Sequence, residues 1–437
     1  MNRNTIAPMM SAIIAAALTL TGTAATPPRA HAAPDAFFSY TGDTPLAAIA
    51  PGTVLATRTV PYHVNGTPTA VSAVQLLYRT SDSRDRPTAN LTSVLIPATG
   101  ADPAKAVAYQ SYYDSLAPEH SPSRVIAGQT SFGGMVFDSE TTTITGFLAL
   151  GYTVIVADTE GQTANFAAGP EYGRNTLDSI RAATRAPQTG LTTDTRIGLF
   201  GYSGGAIATS WAAALAPAYA PEVNRRLVGA ASGGVLVNPA RNLRYVSGSL
   251  GWSGIAVMAL VGISRSYGDD FTTYLSDYGN QLATAVDKAS IAEVMLRYPG
   301  LTWEQLAKPE YADPASVPPL TGAIGKINLG AAPTPTIPLF IGQGGGGTLE
   351  GTDGTRPGIG PGDGVMVTGD VRALARQYCD TGNTTVQYEQ YDDLSHTGAQ
   401  AAWTTPALDW LHARFTTTPT PSNCTSITPG NPLTAHF

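Results

Sequence analysis

The feature that most constrains the fold of this chain is a Gly-Tyr-Ser-Gly-Gly turn at residues 201–205. Residues 196–200 (RIGLF) form a continuous apolar run that predicts a buried strand, and residues 206–215 (AIATSWAAAL) predict a helix of small side chains. Glycines beside a serine let a strand and a helix meet in a sharp turn that exposes the serine hydroxyl above a sheet. We therefore interpret Ser203 as a candidate nucleophile, the alternative being an unreactive serine in a glycine-rich turn.

The rest of the chain alternates strand and helix patterns, as such a turn requires. Short apolar and β-branched runs predict strands, and apolar residues at helical spacing predict helices. The predicted strands cover residues 53–60, 71–78, 91–96, 106–112, 152–157, 196–200, 227–231, 336–341 and 385–391. The predicted helices cover residues 141–150, 175–185, 206–215, 371–378 and 406–415. This alternation indicates an α/β fold with a mostly parallel sheet flanked by helices.

The alternation stops between residues 241 and 332, where the chain is helix-like and has no convincing strand. An insertion between two strands most naturally forms a helical cap above the sheet edge. We therefore expect a core of residues 33–240 and 333–437 and a cap of residues 241–332. Its most apolar run, residues 252–263 (WSGIAVMALVGI), is either a buried helix or a lid with an apolar binding surface, and one helix can serve as both.

The N-terminus has the pattern of an export signal. Arg3 is followed by an apolar stretch around residues 13–20, and Ala30-His31-Ala32 fits a small-x-small cleavage site. We expect residues 1–32 to be a signal peptide and the mature chain to be secreted, the alternative being a retained N-terminal anchor. No later run approaches the roughly 20 apolar residues of a membrane-spanning helix, so none is expected in the mature chain.

Composition and cysteine content limit the classes of ligand that this protein is expected to bind. The net charge of −7 argues against a nucleic-acid partner. The two cysteines, Cys379 and Cys424, are expected to form one disulfide in an oxidising compartment. No His or second Cys lies at ligand spacing from them, so no metal site is expected. The glycine-rich stretch at residues 342–364 lacks the Gly-Lys-Ser/Thr ending of a phosphate-binding loop, and no cofactor is expected.

A serine nucleophile needs a base, because its hydroxyl is a poor nucleophile near neutral pH. On this kind of strand–turn–helix scaffold the order along the chain is Ser, acid, His. The histidines that precede the serine are His31, His63 and His120, and those that follow it are His396, His412 and His436. His412 falls within a predicted helix and His436 beside the terminus. His396 follows a predicted strand in a loop, which makes it the candidate base.

The acid is expected on the loop after the strand at 336–341. Asp370 is better placed as a first-turn residue of the helix that follows. Asp353 lies inside the glycine-rich stretch, whereas Asp363 lies where that stretch returns to apolar sequence. Asp392 and Asp393 are close in sequence to His396 and are disfavoured without being excluded. We favour Asp363, with Asp353 next, as the residue that orients the imidazole.

The oxyanion of a tetrahedral intermediate needs two backbone donors. The turn geometry supplies the N–H of Gly204, which follows the nucleophile. The second donor is expected from the loop after the strand at 106–112. No His-Gly-Gly motif occurs there, so the residues alone leave it open.

Several segments together resemble the secretory lipases of the lipase-A-like type. They are residues 109–115 (YQSYYDS), 157–161 (ADTEG) and 177–183 (LDSIRAA), the 201–205 turn with its helix, and 362–364 (GDG) followed by VRALARQYC. The resemblance implies an α/β-hydrolase core, a helical cap inserted after the turn, and a Ser/Asp/His triad. It also implies the backbone N–H of Asp114 as the second oxyanion donor, and it supports Asp363 over Asp353.

These observations predict a secreted serine carboxylic-ester hydrolase, a lipase that acts on acylglycerols through an acyl-enzyme. The expected partner is a hydrophobic ester, with a lipid–water interface as one setting for the reaction. One alternative is a non-catalytic lipid-binding or cell-wall-associated protein on the same fold. The others are an acyltransferase or a peptidase that uses the same triad.

Overall fold

A nine-stranded mixed sheet organises the fold. The computed structural model describes residues 35–437 except 355, 417 and 436, and residues 37–437 form one compact unit. The predicted signal peptide and His436 therefore lie outside the described residues. The strands are β1 (Val54–Val64), β2 (Thr67–Ser81), β3 (Pro87–Ile96), β4 (Lys105–Gln110), β5 (Thr153–Ala157), β6 (Arg196–Tyr202), β7 (Leu227–Gly233), β8 (Leu339–Gly344) and β9 (Val386–Tyr391).

The order of strands across the sheet is β1-β2-β3-β5-β4-β6-β7-β8-β9. The strands β1, β2, β3 and β5 pair antiparallel, and the pairings from β5 through β4 to β9 are parallel. The carboxyl ends of the parallel strands lie at one edge, where an open α/β sheet places its ligands. The predicted fold class, a mostly parallel sheet of the α/β-hydrolase type, is confirmed.

Helices cover both faces of the sheet. The helices are α1 (Pro122–Ile126), α2 (Met135–Asp138), α3 (Thr141–Ala149), α4 (Gly169–Arg185), α5 (Gly204–Tyr219), α6 (Pro221–Asn224), α7 (Pro239–Val246), α8 (Ile255–Tyr267), α9 (Asp277–Ala285), α10 (Ile291–Val294), α11 (Trp303–Leu306), α12 (Pro318–Ile327), α13 (Thr368–Asp380) and α14 (His396–Arg414). The helices α4, α5 and α13 pack on one face, whereas α3 and α14 pack on the other. Within the described part of the chain, no helix is long and apolar enough to cross a membrane.

The helices α7 to α12 lie between β7 and β8, in the segment that the sequence predicts to be an inserted cap. They share an apolar core of their own, which includes Val257, Leu260, Trp303 and Ile324. The run at residues 252–263 becomes most of α8. Of its residues, Val257 and Met258 are fully buried, so the helix packs as a core element. The exact boundaries of the cap as a domain remain a prediction.

Two helices contain a proline and extend beyond the bounds that the sequence pattern predicts. The final helix begins at His396 rather than at residue 406, and Pro406 lies inside it. Proline favours the first turn of a helix, so the pattern indicated a start there. The side chain of Ser395 instead caps the helix by accepting from the N–H of Gly398. Likewise α5 continues to Tyr219 past Pro217.

Candidate active site

Ser203 lies at the turn between β6 and α5, at the carboxyl edge of the sheet. Its backbone has φ 54° and ψ −120°, a conformation that residues with a side chain rarely adopt. The N–H of Ser203 donates to the carbonyl oxygen of Gly233 at 2.8 Å, which fixes the turn against the neighbouring strand β7. The strained backbone thus holds the serine hydroxyl above the sheet, as the sequence predicts.

The glycines of the turn are required by close packing. A Cβ atom on Gly201 would lie 2.4 Å from the carbonyl oxygen of Gly205, and one on Gly205 would lie 2.0 Å from that of Gln110. Both distances are far below contact range. Only glycine therefore fits where β6 turns into α5 against the end of β4.

Ser203, His396 and Asp363 are brought into one hydrogen-bonded chain. The Oγ of Ser203 lies 2.8 Å from Nε2 of His396, and Nδ1 of His396 lies 2.8 Å from Oδ2 of Asp363. With Nδ1 protonated toward the carboxylate, Nε2 is left to accept the hydroxyl proton. The three segments are far apart in the sequence. They meet because β6, β7, β8 and β9 are consecutive in the sheet and end at the same edge.

The carboxylate of Asp363 is fully buried and saturated with donors. Its Oδ1 accepts from the N–H groups of Val365 and Met366 at 3.0 and 2.7 Å. Its Oδ2 accepts from Nε2 of Gln343 at 2.8 Å, in addition to His396. These bonds hold the carboxylate in one orientation.

The other acids considered from the sequence lie elsewhere. Asp353, Asp392 and Asp393 are exposed. Asp370 lies in the first turn of α13, as predicted, where it forms an ion pair with Arg241.

Opposing effects act on the pKa of His396, which is almost fully buried. Burial disfavours the imidazolium, but the negative charges of Asp363, Glu350 and Asp114 more than offset it, so the pKa is raised above its ordinary value. A raised pKa makes His396 a stronger base once it is deprotonated.

Gly204 and Asp114 lie beside Ser203 and line the same cavity. Gly204 is the first residue of α5, so its N–H has no acceptor within the helix. Asp114, in the loop after β4, has φ 28°, and a Cβ on Gly204 would lie 1.8 Å from its Oδ1. Burial raises the pKa of Asp114 to about 8, although the charge of His396 opposes the shift.

The loop that carries Asp114 is held from two sides by buried glutamates. Glu140 accepts from the N–H of Tyr112 at 3.2 Å and from the hydroxyl of Ser111. Glu160 accepts from the N–H of Ser115 at 3.1 Å. These contacts fix the backbone on both sides of Asp114.

The inserted helices are also joined to this loop. The N–H of Leu116 donates to the carbonyl oxygen of Ala289 at 2.9 Å. The N–H of Ile291 donates to the carbonyl oxygen of Asp114 at 2.8 Å. The segment between β7 and β8 therefore contributes directly to the position of the Asp114 backbone.

An apolar cavity opens beside Ser203, lined mainly by the inserted helices. It encloses about 760 Å³, counting its open mouth. Its apolar lining comes largely from α7, α8 and α12: Leu243, Val246, Ile255, Ala256, Ala259, Leu260, Ile263, Leu320, Ile324 and Ile327. A cavity with this apolar lining suits the apolar part of a ligand. The helix α8 is thus both a buried helix and a wall of the cavity.

The family profile described as secretory lipase matches residues 128–423. The chain belongs to the secretory lipase family. Lipase 2 of Candida albicans is 30% identical over 364 residues, which cover 79% of this chain and 72% of that protein. The crystal structure of Candida antarctica lipase A in its closed state superposes with a TM-score of 0.77 at 27% identity, covering 91% of this chain and 90% of the other.

A Mycobacterium tuberculosis protein described as a probable inactive lipase is 29% identical, and the match covers 88% of this chain and 80% of that one. The resemblance drawn from the sequence motifs is confirmed, and membership of the secretory lipase family makes this chain a hydrolase of the lipase and esterase type.

The disulfide predicted from the two cysteines is also present. Cys379, at the end of α13, is bonded to Cys424 in the C-terminal segment. Over the described residues, no cluster of His, Cys, Asp or Glu could hold a metal ion.

Sequence reasoning missed the residues that surround the triad of this secretory lipase. Glu140 and Glu160 bond to the Asp114 loop, Trp252 contacts His396, and Glu350 bonds to Thr397 beside His396. None of the four was predicted as a site residue. Glu160 lies in one of the segments that carry the family resemblance, so that segment held a signal for it. Glu350 lies in the glycine-rich stretch and Trp252 begins the apolar run at residues 252–263, and no motif in either segment indicates a role beside the base.

Proposed function

We propose that this protein is a secreted serine carboxylic-ester hydrolase, a lipase that acts on acylglycerols through an acyl-enzyme. The chain of contacts from Ser203 through His396 to Asp363, at the mouth of an apolar cavity, is the observation that carries the proposal. Family membership supports hydrolysis in general, and the serine chemistry and the substrate class are our inference.

In the proposed first half-reaction, Oγ of Ser203 attacks the ester carbonyl while Nε2 of His396 takes the hydroxyl proton. The resulting oxyanion accepts hydrogen bonds from the N–H groups of Gly204 and Asp114. Asp363 holds the imidazole and stabilises its positive charge. When the tetrahedral intermediate collapses, the bond to the alcohol oxygen breaks and His396 returns the proton to the leaving alcohol.

Water completes the cycle. His396 removes a proton from a water molecule, whose oxygen attacks the acyl carbonyl. The bond to Oγ of Ser203 then breaks, His396 returns the proton to Oγ, and the acid is released. Transfer to an alcohol would use the same acyl-enzyme, so the two outcomes differ only in which nucleophile enters. The cavity beneath the inserted helices accommodates the apolar acyl chain, which favours acylglycerols or other hydrophobic esters.

The setting of the reaction is proposed from three features. Residues 1–32 carry the pattern of an export signal, the family is described as secretory, and a disulfide joins Cys379 to Cys424. A disulfide persists in an oxidising compartment. We propose that residues 241–332 act as the cap over the cavity and that the mature enzyme works outside the cell.

The test is hydrolysis of p-nitrophenyl esters from acetyl to palmitoyl by the wild type and by Ser203→Ala. Ser210→Ala, in the same helix α5, is the matched control and should keep wild-type activity. We expect the wild type to turn over the esters and Ser203→Ala to lose that activity. Retained activity in Ser203→Ala would refute Ser203 as the nucleophile.

A second candidate function is lipid binding without turnover. The relative described as a probable inactive lipase is the observation that favours it. Folded wild-type protein that hydrolyses no ester of any chain length, yet binds a fluorescent fatty acid in the cavity, would support this alternative.

A further inference from the structure

Glu350 joins three separate segments around the base. It ends a short turn, Gly347–Glu350, in the glycine-rich stretch. Its Oε1 accepts from the N–H and the hydroxyl of Thr397 at 3.0 and 2.7 Å, and its Oε2 accepts from Nε1 of Trp252 at 2.8 Å. Thr397 directly follows His396 in α14, and Trp252 belongs to the predicted cap. One carboxylate therefore links the cap to the helix that carries the base.

Trp252 in turn contacts the imidazole. Its indole meets the His396 ring edge to face, with the ring centroids 5.6 Å apart and the planes at 77°. The ring of Tyr202 also packs on the imidazole, with the centroids 5.1 Å apart. Trp252 and His396 are 7% and 4% exposed, so the imidazole is enclosed and its orientation depends on the rings around it. The indole is held in place through its bond to Glu350.

Capping of the N-terminus of α14 does not by itself explain why Glu350 bonds to Thr397. The side chain of Ser395 already accepts from the N–H of Gly398 at the start of α14. Glu350 adds an anion at the N-terminus of α14, where the helix dipole favours negative charge. The same carboxylate is oriented by an indole that contacts the base.

We propose that Glu350 is a positioning residue for His396, holding the imidazole in line with Ser203 through Thr397 and Trp252. The inference rests on the proposed function, because it assigns Glu350 a part in the serine chemistry of this site. The charged groups that face His396 are Asp363 from the loop after β8, Glu350 from the glycine-rich stretch and Asp114 from the loop after β4.

Glu350→Gln tests the proposal with little change of volume. The amide oxygen can still accept from Thr397, but the amide nitrogen cannot accept from the indole N–H of Trp252. We expect kcat for a p-nitrophenyl ester to fall about tenfold, because a small displacement of a catalytic group is costly. We expect KM to change by less than about twofold, because the cavity is untouched.

The pH dependence of kcat/KM distinguishes a role of Glu350 at His396 from a role in stabilising the fold. Removing the negative charge lowers the pKa of His396, because its imidazolium loses a stabilising anion. The acid limb of kcat/KM therefore moves to lower pH in Glu350→Gln. Glu389→Gln is the matched control: Glu389 is also half-buried and bridges two side chains, those of Gln387 and Tyr391, within β9. It should leave the profile unchanged.

Trp252→Phe keeps a smaller aromatic ring near His396 and removes the indole donor. If Glu350 acts through Trp252, Trp252→Phe lowers kcat. The double variant Trp252→Phe/Glu350→Gln then loses less activity than the product of the two single-variant losses in kcat. Fully additive losses would contradict the proposed path through the indole.

A titration without turnover keeps the inference separate from the proposed function. In the Ser203→Ala background, the Cε1–H resonance of His396 is followed by NMR against pH with and without Glu350→Gln. A move of its midpoint to lower pH supports the inference even if the wild type hydrolyses no ester, a result that would refute only the proposed function. An unchanged midpoint, or an unchanged pH profile in an enzyme whose activity requires Ser203, would overturn the role of Glu350.

Discussion

Glu140 gives the sharpest prediction about stability. It is 1% exposed and accepts hydrogen bonds from Ser111, Tyr109 and the N–H of Tyr112. Burial raises the pKa of Glu140 to about 8 from an ordinary value of 4.5, although those hydrogen bonds oppose the shift. The carboxyl is therefore protonated in the folded protein at pH 7, whereas in the unfolded chain it is ionised.

The sign of the pH dependence follows from this difference. Below pH 4.5 both states are protonated, so burying Glu140 carries no ionisation cost. As the pH rises, the unfolded state releases its proton first and is favoured, so the stability contributed by Glu140 is lost progressively up to about pH 8. The interval of three and a half pH units, at about 1.36 kcal/mol each, corresponds to about 5 kcal/mol of unfolding free energy.

Glu140→Gln removes the loss of stability at high pH and keeps the hydrogen bonds that Glu140 makes. The amide oxygen accepts from Tyr109 and Tyr112, and the amide nitrogen donates to the hydroxyl of Ser111. We expect the variant to match the wild type in urea unfolding at pH 4.5. At pH 8 it should be more stable than the wild type by several kcal/mol, up to the roughly 5 kcal/mol above.

The assay is urea unfolding of both proteins at several pH values, followed by tryptophan fluorescence and circular dichroism. Glu304→Gln, at an exposed position of α11, is the control and should show no pH-dependent difference. A stability difference between Glu140→Gln and the wild type that is the same at pH 4.5 and pH 8 would refute the reasoning.

Three further predictions concern the base, the cavity and the disulfide. Asp363→Asn should lower kcat by about 10⁴-fold in ester hydrolysis, because its amide N–H₂ facing Nδ1 favours the His396 tautomer that cannot accept the serine proton; a loss below tenfold would contradict this. Ala259→Phe should lower kcat/KM for the palmitoyl ester about tenfold or more relative to the acetyl ester, because it fills the apolar cavity. Equal losses for both esters would contradict an acyl-binding role. Replacing Cys379 and Cys424 by serine opens a loop with a sequence separation of 45 and should cost about 4 kcal/mol in guanidinium unfolding. Wild type in reductant should match that variant, and equal stability of oxidised wild type and variant would contradict the prediction.

Local patterns in the sequence predict the strands of the sheet and the turn at Ser203 well. The strand, turn and helix around Ser203 could be recognised because each part has its own short-range signal, namely an apolar run, flanking glycines and a run of small residues. The same holds for the strands of the parallel sheet. The position of Asp363 at the end of a strand loop follows from the order of elements together with the family resemblance. The start of α14 could not be recognised, because Pro406 is tolerated inside the helix.

The surroundings of the triad depend on contacts that no local pattern encodes. Glu140 meets Ser111 across 29 residues, Glu160 meets Ser115 across 45, and Glu350 meets Thr397 across 47. Each contact depends on how loops fold back over the sheet edge. The sequence alone predicts that an isolated glutamate in a loop is exposed to solvent. Only the three-dimensional structure shows that these glutamates are buried.

The central claim, that Ser203 forms a covalent intermediate, is tested most directly by trapping it. A p-nitrophenyl alkylphosphonate ester transfers its phosphorus to an activated serine oxygen and releases p-nitrophenolate. We predict about one equivalent of p-nitrophenolate per wild-type chain, a mass increase confined to the peptide that contains Ser203, and no reaction of Ser203→Ala. Folded wild-type protein that is not labelled, or that is labelled on another residue, would contradict the account.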